Sequence, residues 1–73
     1  MNYFNNITNY INQKLWNLSG IKARVVSDDH RNIQFITNNK CSRSINIYRI
    51  TSDKMLDKCV ELIRRDLINP AYN

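Results

Sequence analysis

Apolar positions recur at two different spacings along the chain, and the changes of spacing divide it into elements. Phe4, Ile7, Ile11, Leu15 and Leu18 follow one another at steps of three and four, the interval that stacks side chains on one helical face. This spacing predicts a helix from about residue 3 to 18, with Gly20, the one glycine, placed for a C-terminal cap. Asn5, Asn6, Asn9, Asn12 and Asn17 fill much of the other face. Asparagine is a poor helix former, so such a helix depends on packing its apolar stripe.

From residue 21 the period becomes two. Ile21, Ala23 and Val25 alternate with Lys22, Arg24 and Val26, and two further runs rich in β-formers follow at residues 33–37 and 45–50. The polar stretches Ser27 to Asn32 and Asn38 to Ser44 read as connections of an antiparallel meander. Thr51, Ser52 and Asp53 offer helix N-caps. Leu56, Cys59, Val60, Ile63 and Leu67 then form a second helical stripe, which Pro70 stops. The expectation is a single α+β domain over residues 1–73, ordered α-β-β-β-α, whose two helices cover one face of a three-stranded antiparallel sheet.

Assigning Ile21, Ala23, Val25, Ile33, Phe35, Ile45 and Ile47 to the core side leaves Lys22, Arg24, Gln34, Asn46 and Tyr48 on the other face, with Val26, Ile36 and Ile50 among them. Arg49 falls on the inward side. Trp16 points nearly opposite the first helix's stripe, where it is either an exposed interface anchor or a side chain covered by the tail Pro70-Ala71-Tyr72.

Charge adds a kind of partner. Eleven Lys/Arg stand against six Asp/Glu, and outside Asp28-Asp29 every acid lies in the last third of the chain. A positive field of this kind favours polyanions. Lys22 and Arg24 on the sheet, Lys40 and Arg43 in the second connection, and Lys54 and Lys58 on the second helix are the candidate phosphate contacts, with Tyr48 and Trp16 as candidate aromatic ones. Asp53 and Asp57 are interleaved with the helix lysines, which is also the pattern of a solvated face with internal ion pairs.

The stretch Asp28-Asp29-His30 poses the question of chemistry. Metal binding needs several converging ligands at recognisable spacing, and His30 is the one histidine, with no C-x-x-C elsewhere. Ser27, Asp28, Asp29 and Asn32 are residues that bond to nearby backbone in turns, so the stretch reads as a loop. His30 and Arg31 at its tip are candidate contacts, opposed by the two aspartates. No metal and no cofactor are expected. No leader-like opening and no 18-residue apolar run is present, giving an expectation of a protein neither secreted nor membrane-spanning, in a reducing cytoplasm.

The element order, length and basic charge resemble the double-stranded-RNA-binding domain. The loop "SDDHRN" looks like that family's Gly-Pro-x-His loop through His30, without the Gly-Pro. Lys54 and Lys58, within "TSDKMLDK", sit near where the family places its lysines. The resemblance implies that the first helix and this loop enter successive minor grooves while the lysines hold phosphates between them. "NYINQKLWNLSGIKARVV" and "ITSDKMLDKCVELIRRDL" also look like the first helix with its following strand, and the last helix, of the ribosome hibernation-promoting factor family, whose leading strand has no counterpart here.

The function expected is a non-enzymatic module for structured nucleic acid, RNA before DNA, reading shape and phosphate. The alternative is an inhibitor or adaptor of phage or mobile-element type that binds a host protein through Trp16. A third reading is a small ribonuclease using His30 as general base. An uncovered sheet face or edge also offers a homodimer surface.

Overall fold

In the computed structural model, which describes residues 3–38 and 40–68 (Tyr3 and Phe4 by backbone alone), the chain runs helix, three antiparallel strands, helix. Helix α1 spans Tyr3–Ser19. Its stripe is Ile7, Ile11 and Leu15, all buried; the expected place of the Phe4 side chain, and that of Pro70, Ala71 and Tyr72, lies outside the described residues. Gly20 ends the helix at φ 64°, a left-handed conformation that glycine enters without steric cost. Its N–H donates to the Trp16 carbonyl at 2.9 Å, and the next N–H, of Ile21, reaches the Leu15 carbonyl at 3.3 Å. Leu18, expected in the stripe, is 59% exposed. It lies on the last turn, and Ile21, brought back by the cap, packs against the core instead.

Strands β1 (Arg24–Asp28) and β2 (Asn32–Ile36) form a hairpin whose register runs from Arg24 opposite Ile36 to Asp28 opposite Asn32. The alternation beginning at Ile21 thus starts before the strand does, because the partner strand ends opposite Arg24. Ile21 and Ala23 still pack on the core, as do Val25, Ile33, Phe35, Ile45 and Ile47.

Strand β3 is short. Ile45 and Asn46 pair with Ile33 and Asn32, making the sheet order β1-β2-β3, and the chain then curls into a 3-10 turn, η1, over Ile47–Arg49. The Asn46 side chain accepts the Tyr48 N–H at 2.9 Å, a local bond that competes with continued strand pairing. Two sequence expectations change as a result. Ile50, expected on the outer face, is buried, and Arg49, expected inward, is exposed.

Between β2 and β3 the chain returns through a bulge. Ile36 bridges Cys41, whereas Ile33 pairs with Ile45. Three residues, Ser42 to Ser44, therefore lie opposite two, Gln34 and Phe35. A bulge of this kind bends the strand and re-aims a side chain. Ser42 is buried and holds the break: its N–H donates to the Phe35 carbonyl at 2.8 Å, and its Oγ accepts the Phe35 N–H at 2.9 Å.

Helix α2 spans Asp53–Ile68. Ser52 caps it, its Oγ accepting the Met55 N–H at 3.2 Å. Val60, Ile63 and Leu67 are buried against α1 and the sheet in one core. The outward side chains Arg24 and Val26 of β1 remain exposed, so both helices cover the same sheet face.

Candidate functional site

Two of the cations expected to meet an outside phosphate are engaged within the fold. Arg43, aimed by the bulge, grips Asp66 of α2: its Nε donates to Oδ2 at 2.8 Å, its Nη2 to Oδ1 at 2.9 Å, and its backbone N–H to Oδ2 at 3.0 Å. Asp66 is 2% exposed. The Arg43 guanidinium holds its carboxyl below the usual carboxylate range, against the opposing pull of burial. Lys40 donates from Nζ to the Ile68 carbonyl at 3.1 Å, satisfying a group that the helix end leaves open. The second connection, expected as a backbone-contacting loop, thus fastens the C-terminal turn of α2.

Asp66 was a missed residue with a legible signal. It stands three positions after Ile63 and one before Leu67, inside the apolar stripe. A carboxylate on a buried helical face demands a cation from elsewhere in the chain.

The outer sheet face is less basic than its sequence alternation suggests. Arg24 is exposed at one end of β1, but Asp28 occupies the other, and Val26, Gln34 and Ile36 lie between them. Gln34 is tied down, donating from Nε2 to the Ser42 carbonyl at 2.8 Å. Lys22 precedes the strand, and its Nζ lies 5.3 Å from the centroid of the Trp16 ring, a cation–π distance.

Charge on α2 is sorted by flank. Asp53, Asp57 and Glu61 follow at steps of four and face the α1 side. Tyr10 of α1 donates its hydroxyl to Asp57 at 2.6 Å; this bond, with the fields of Asp57 and Asp53, raises the Tyr10 pKa. Glu61 pairs with Arg64 at 2.6 Å, and Arg64 reaches the Ser19 hydroxyl at 3.4 Å. That pairing lowers the Glu61 pKa. The alternating "TSDKMLDK" is therefore no uniform neutral surface: about 100° per residue carries Asp57 and Lys58 to different flanks.

On the β3 side, Met55, Lys58, Cys59 and Leu62 follow the i, i+3, i+4, i+7 pattern and form one wall of an open groove of about 530 Å³. Asn32, Ser44, Ile45, Asn46, Arg49 and Ile50 line the rest. Arg49 and Lys58 are its charged residues, and no acid lines it. Burial raises the Cys59 thiol pKa, keeping it neutral. Tyr48, 63% exposed, adjoins Arg49 on η1, and Lys54 stands one helical turn before Lys58. Sequence reasoning named Lys58 here but missed Arg49, whose outward aim depends on the 3-10 turn.

Trp16 is 53% exposed and borders a second concavity of about 570 Å³ with Asn12, Gln13, Ile21, Lys22 and Ala23. Asp29 and His30 occupy the β1–β2 turn at φ 49° and 59°, closed by the Arg31 N–H on the Asp28 carbonyl at 3.1 Å. Consecutive positive φ values are those of the primed hairpin turns, which favour Asp and Asn after glycine. His30 and Arg31 are exposed there. Among the described residues, no three His, Cys, Asp or Glu side chains gather to hold a metal, and no helix is long and apolar enough to cross a membrane. Comparison with family models, with curated proteins and with solved structures found no match to this chain.

Proposed function

We propose that the protein is a non-enzymatic binding module for structured nucleic acid, RNA ahead of DNA, with its contact surface on the η1 and β3-facing side of α2. The observation that carries this reading is the separation of charge on α2: its acids at 53, 57 and 61 turn toward α1, while Lys58 and Arg49 flank a groove lined by no acid. Exposed Tyr48, beside Arg49 on η1, adds an aromatic ring. Cations with an accessible ring suit phosphate contact with base packing. Lys22 and Arg24 extend the positive surface at the far edge of the sheet, whereas Lys40 and Arg43 support it from within.

Fluorescence anisotropy with duplex RNA, duplex DNA and single-stranded RNA, at low and near-physiological salt, tests the reading. Binding that weakens on the order of a hundredfold over a few-fold rise in salt would indicate several phosphate contacts. Weak binding to all three, gone near physiological salt, would refute it.

One observation favours a second reading, an inhibitor or adaptor that docks on a host protein. Trp16 is exposed beside a concavity with the Lys22 ammonium over its ring, and exposed tryptophans with a neighbouring cation are frequent interface anchors. Under this reading Trp16→Ala abolishes partner binding and leaves nucleic-acid affinity untouched.

A further inference from the structure

Resting on the nucleic-acid reading, we infer that the groove between β3–η1 and α2 receives one unpaired nucleotide of a structured RNA, its base packed on the groove's apolar residues and its phosphate held by Arg49 and Lys58. Three features argue for this occupant. The volume, about 530 Å³, lies within the roughly 300–1,000 Å³ of small-ligand sites. It is a concavity between a helix and a strand, so the wide cylinder of a paired duplex cannot enter it, whereas a base swung out of the stack can.

The lining is also divided as a nucleotide is divided. Ile45, Met55 and Leu62 offer apolar surface, and Met55 is 43% exposed; thioether sulfur packs favourably against aromatic rings. The two cations with no lining acid complement a phosphate. The wall opposite α2 is β3, the last strand of the sheet. The inference adds to the module's general affinity a preference for bulged or looped RNA over perfectly paired RNA.

The test compares an RNA duplex carrying a single bulged adenosine with the same duplex lacking it, at one salt concentration. The bulged RNA is expected to bind about tenfold tighter, at the low end of what stacking one base on an aromatic ring contributes, since the lining is aliphatic. Ser44→Leu, at an exposed position lining the groove, is expected to remove that advantage. Equal affinity of the wild-type protein for both RNAs overturns the pocket and leaves the binding module standing. Binding to neither RNA overturns both. As a readout independent of any variant, amide shifts on adding the bulged RNA are expected at residues 44–49 and 55–62; shifts confined to the Trp16 concavity would overturn the pocket.

Discussion

Arg43 and Asp66 bind each other across 23 residues of sequence, the guanidinium placing Nε and Nη2 on the two carboxylate oxygens at 2.8 and 2.9 Å. This pair joins the bulge before β3 to the last turn of α2, and with Lys40 it fixes the far end of the helix whose near half lines the groove. Removing one partner leaves a buried charge or a buried dipole poorly matched. Asp66→Asn is expected to cost about 2 kcal/mol, below the roughly 3–5 kcal/mol of a fully buried pair, because Arg43 is 35% exposed and water recovers part of the loss. Thermal melting should fall by about 10 °C for a domain of this size. A change under about 2 °C would show that the pair contributes little.

The same pair makes stability depend on pH with a definite sign. Arg43 lowers the folded-state pKa of Asp66 below its ordinary 3.8, so the unfolded chain takes up this proton at higher pH than the folded one. The contribution is therefore complete above the ordinary carboxylate range and is lost as pH falls through that range toward the lower folded value. Melting temperatures from pH 7 down to about pH 3 should drop more steeply for the wild type than for Asp66→Asn. Parallel curves would contradict the assignment.

Ser42 replaces a ladder partner. Its Oγ is the acceptor for the buried Phe35 N–H at 2.9 Å, so Ser42→Ala strands a main-chain donor in the core. The expected loss is about 1–3 kcal/mol, read as a lower urea midpoint with an unchanged slope. Ser44→Ala, at an exposed position two residues on, is the control and should stay within about 0.5 kcal/mol.

Gly20 isolates a backbone effect from packing. A Cβ built there meets nothing within 4 Å, yet φ is +64°. Gly20→Ala should therefore cost about 1 kcal/mol through conformation alone. Gly20→Asn, which tolerates the left-handed region better, should cost less. Equal losses for the two would point away from the cap as the cause.

The helices were legible because their signal is local: Ile7, Ile11 and Leu15, and later Val60, Ile63 and Leu67, are spaced by the helix's own geometry. The hairpin was legible for the same reason, although the expected connection Ser27 to Asn32 contracts to a turn at residues 29–31, because Ser27 and Asp28 pair with Ile33 and Asn32. The third strand was not. The alternation from Ile45 to Ile50 is equally good in sequence, and one side-chain bond, from the Tyr48 N–H to Asn46, converts its second half into a 3-10 turn. That conversion also hid Arg49. The roles of Lys40 and Arg43 depend on contacts 28 and 23 residues away, which no local pattern encodes. The flank separation of Asp57 and Lys58 was available from helical geometry, but which flank faced α1 required the fold.

That separation yields a comparison between two lysines that look alike in sequence. Lys58 lines the groove, and Lys40 donates to the Ile68 carbonyl. If the groove side of α2 is the nucleic-acid surface, Lys58→Gln removes a phosphate contact. Affinity for structured RNA should fall several-fold at low salt, and the slope of log affinity against log salt should shrink by about 0.7–0.9. Lys40→Gln should leave both affinity and slope unchanged while lowering the melting temperature by a few degrees, since it removes a partner from the helix end. Asp57→Asn serves as the third arm. Its carboxylate faces Tyr10 at 2.6 Å, on the opposite flank, so neutralising it should raise RNA affinity only through the long-range field and disappear into noise near physiological salt. Equal loss of affinity from Lys40→Gln and Lys58→Gln would mean that binding follows net charge alone, and the groove side of α2 would lose its claim to be the interface.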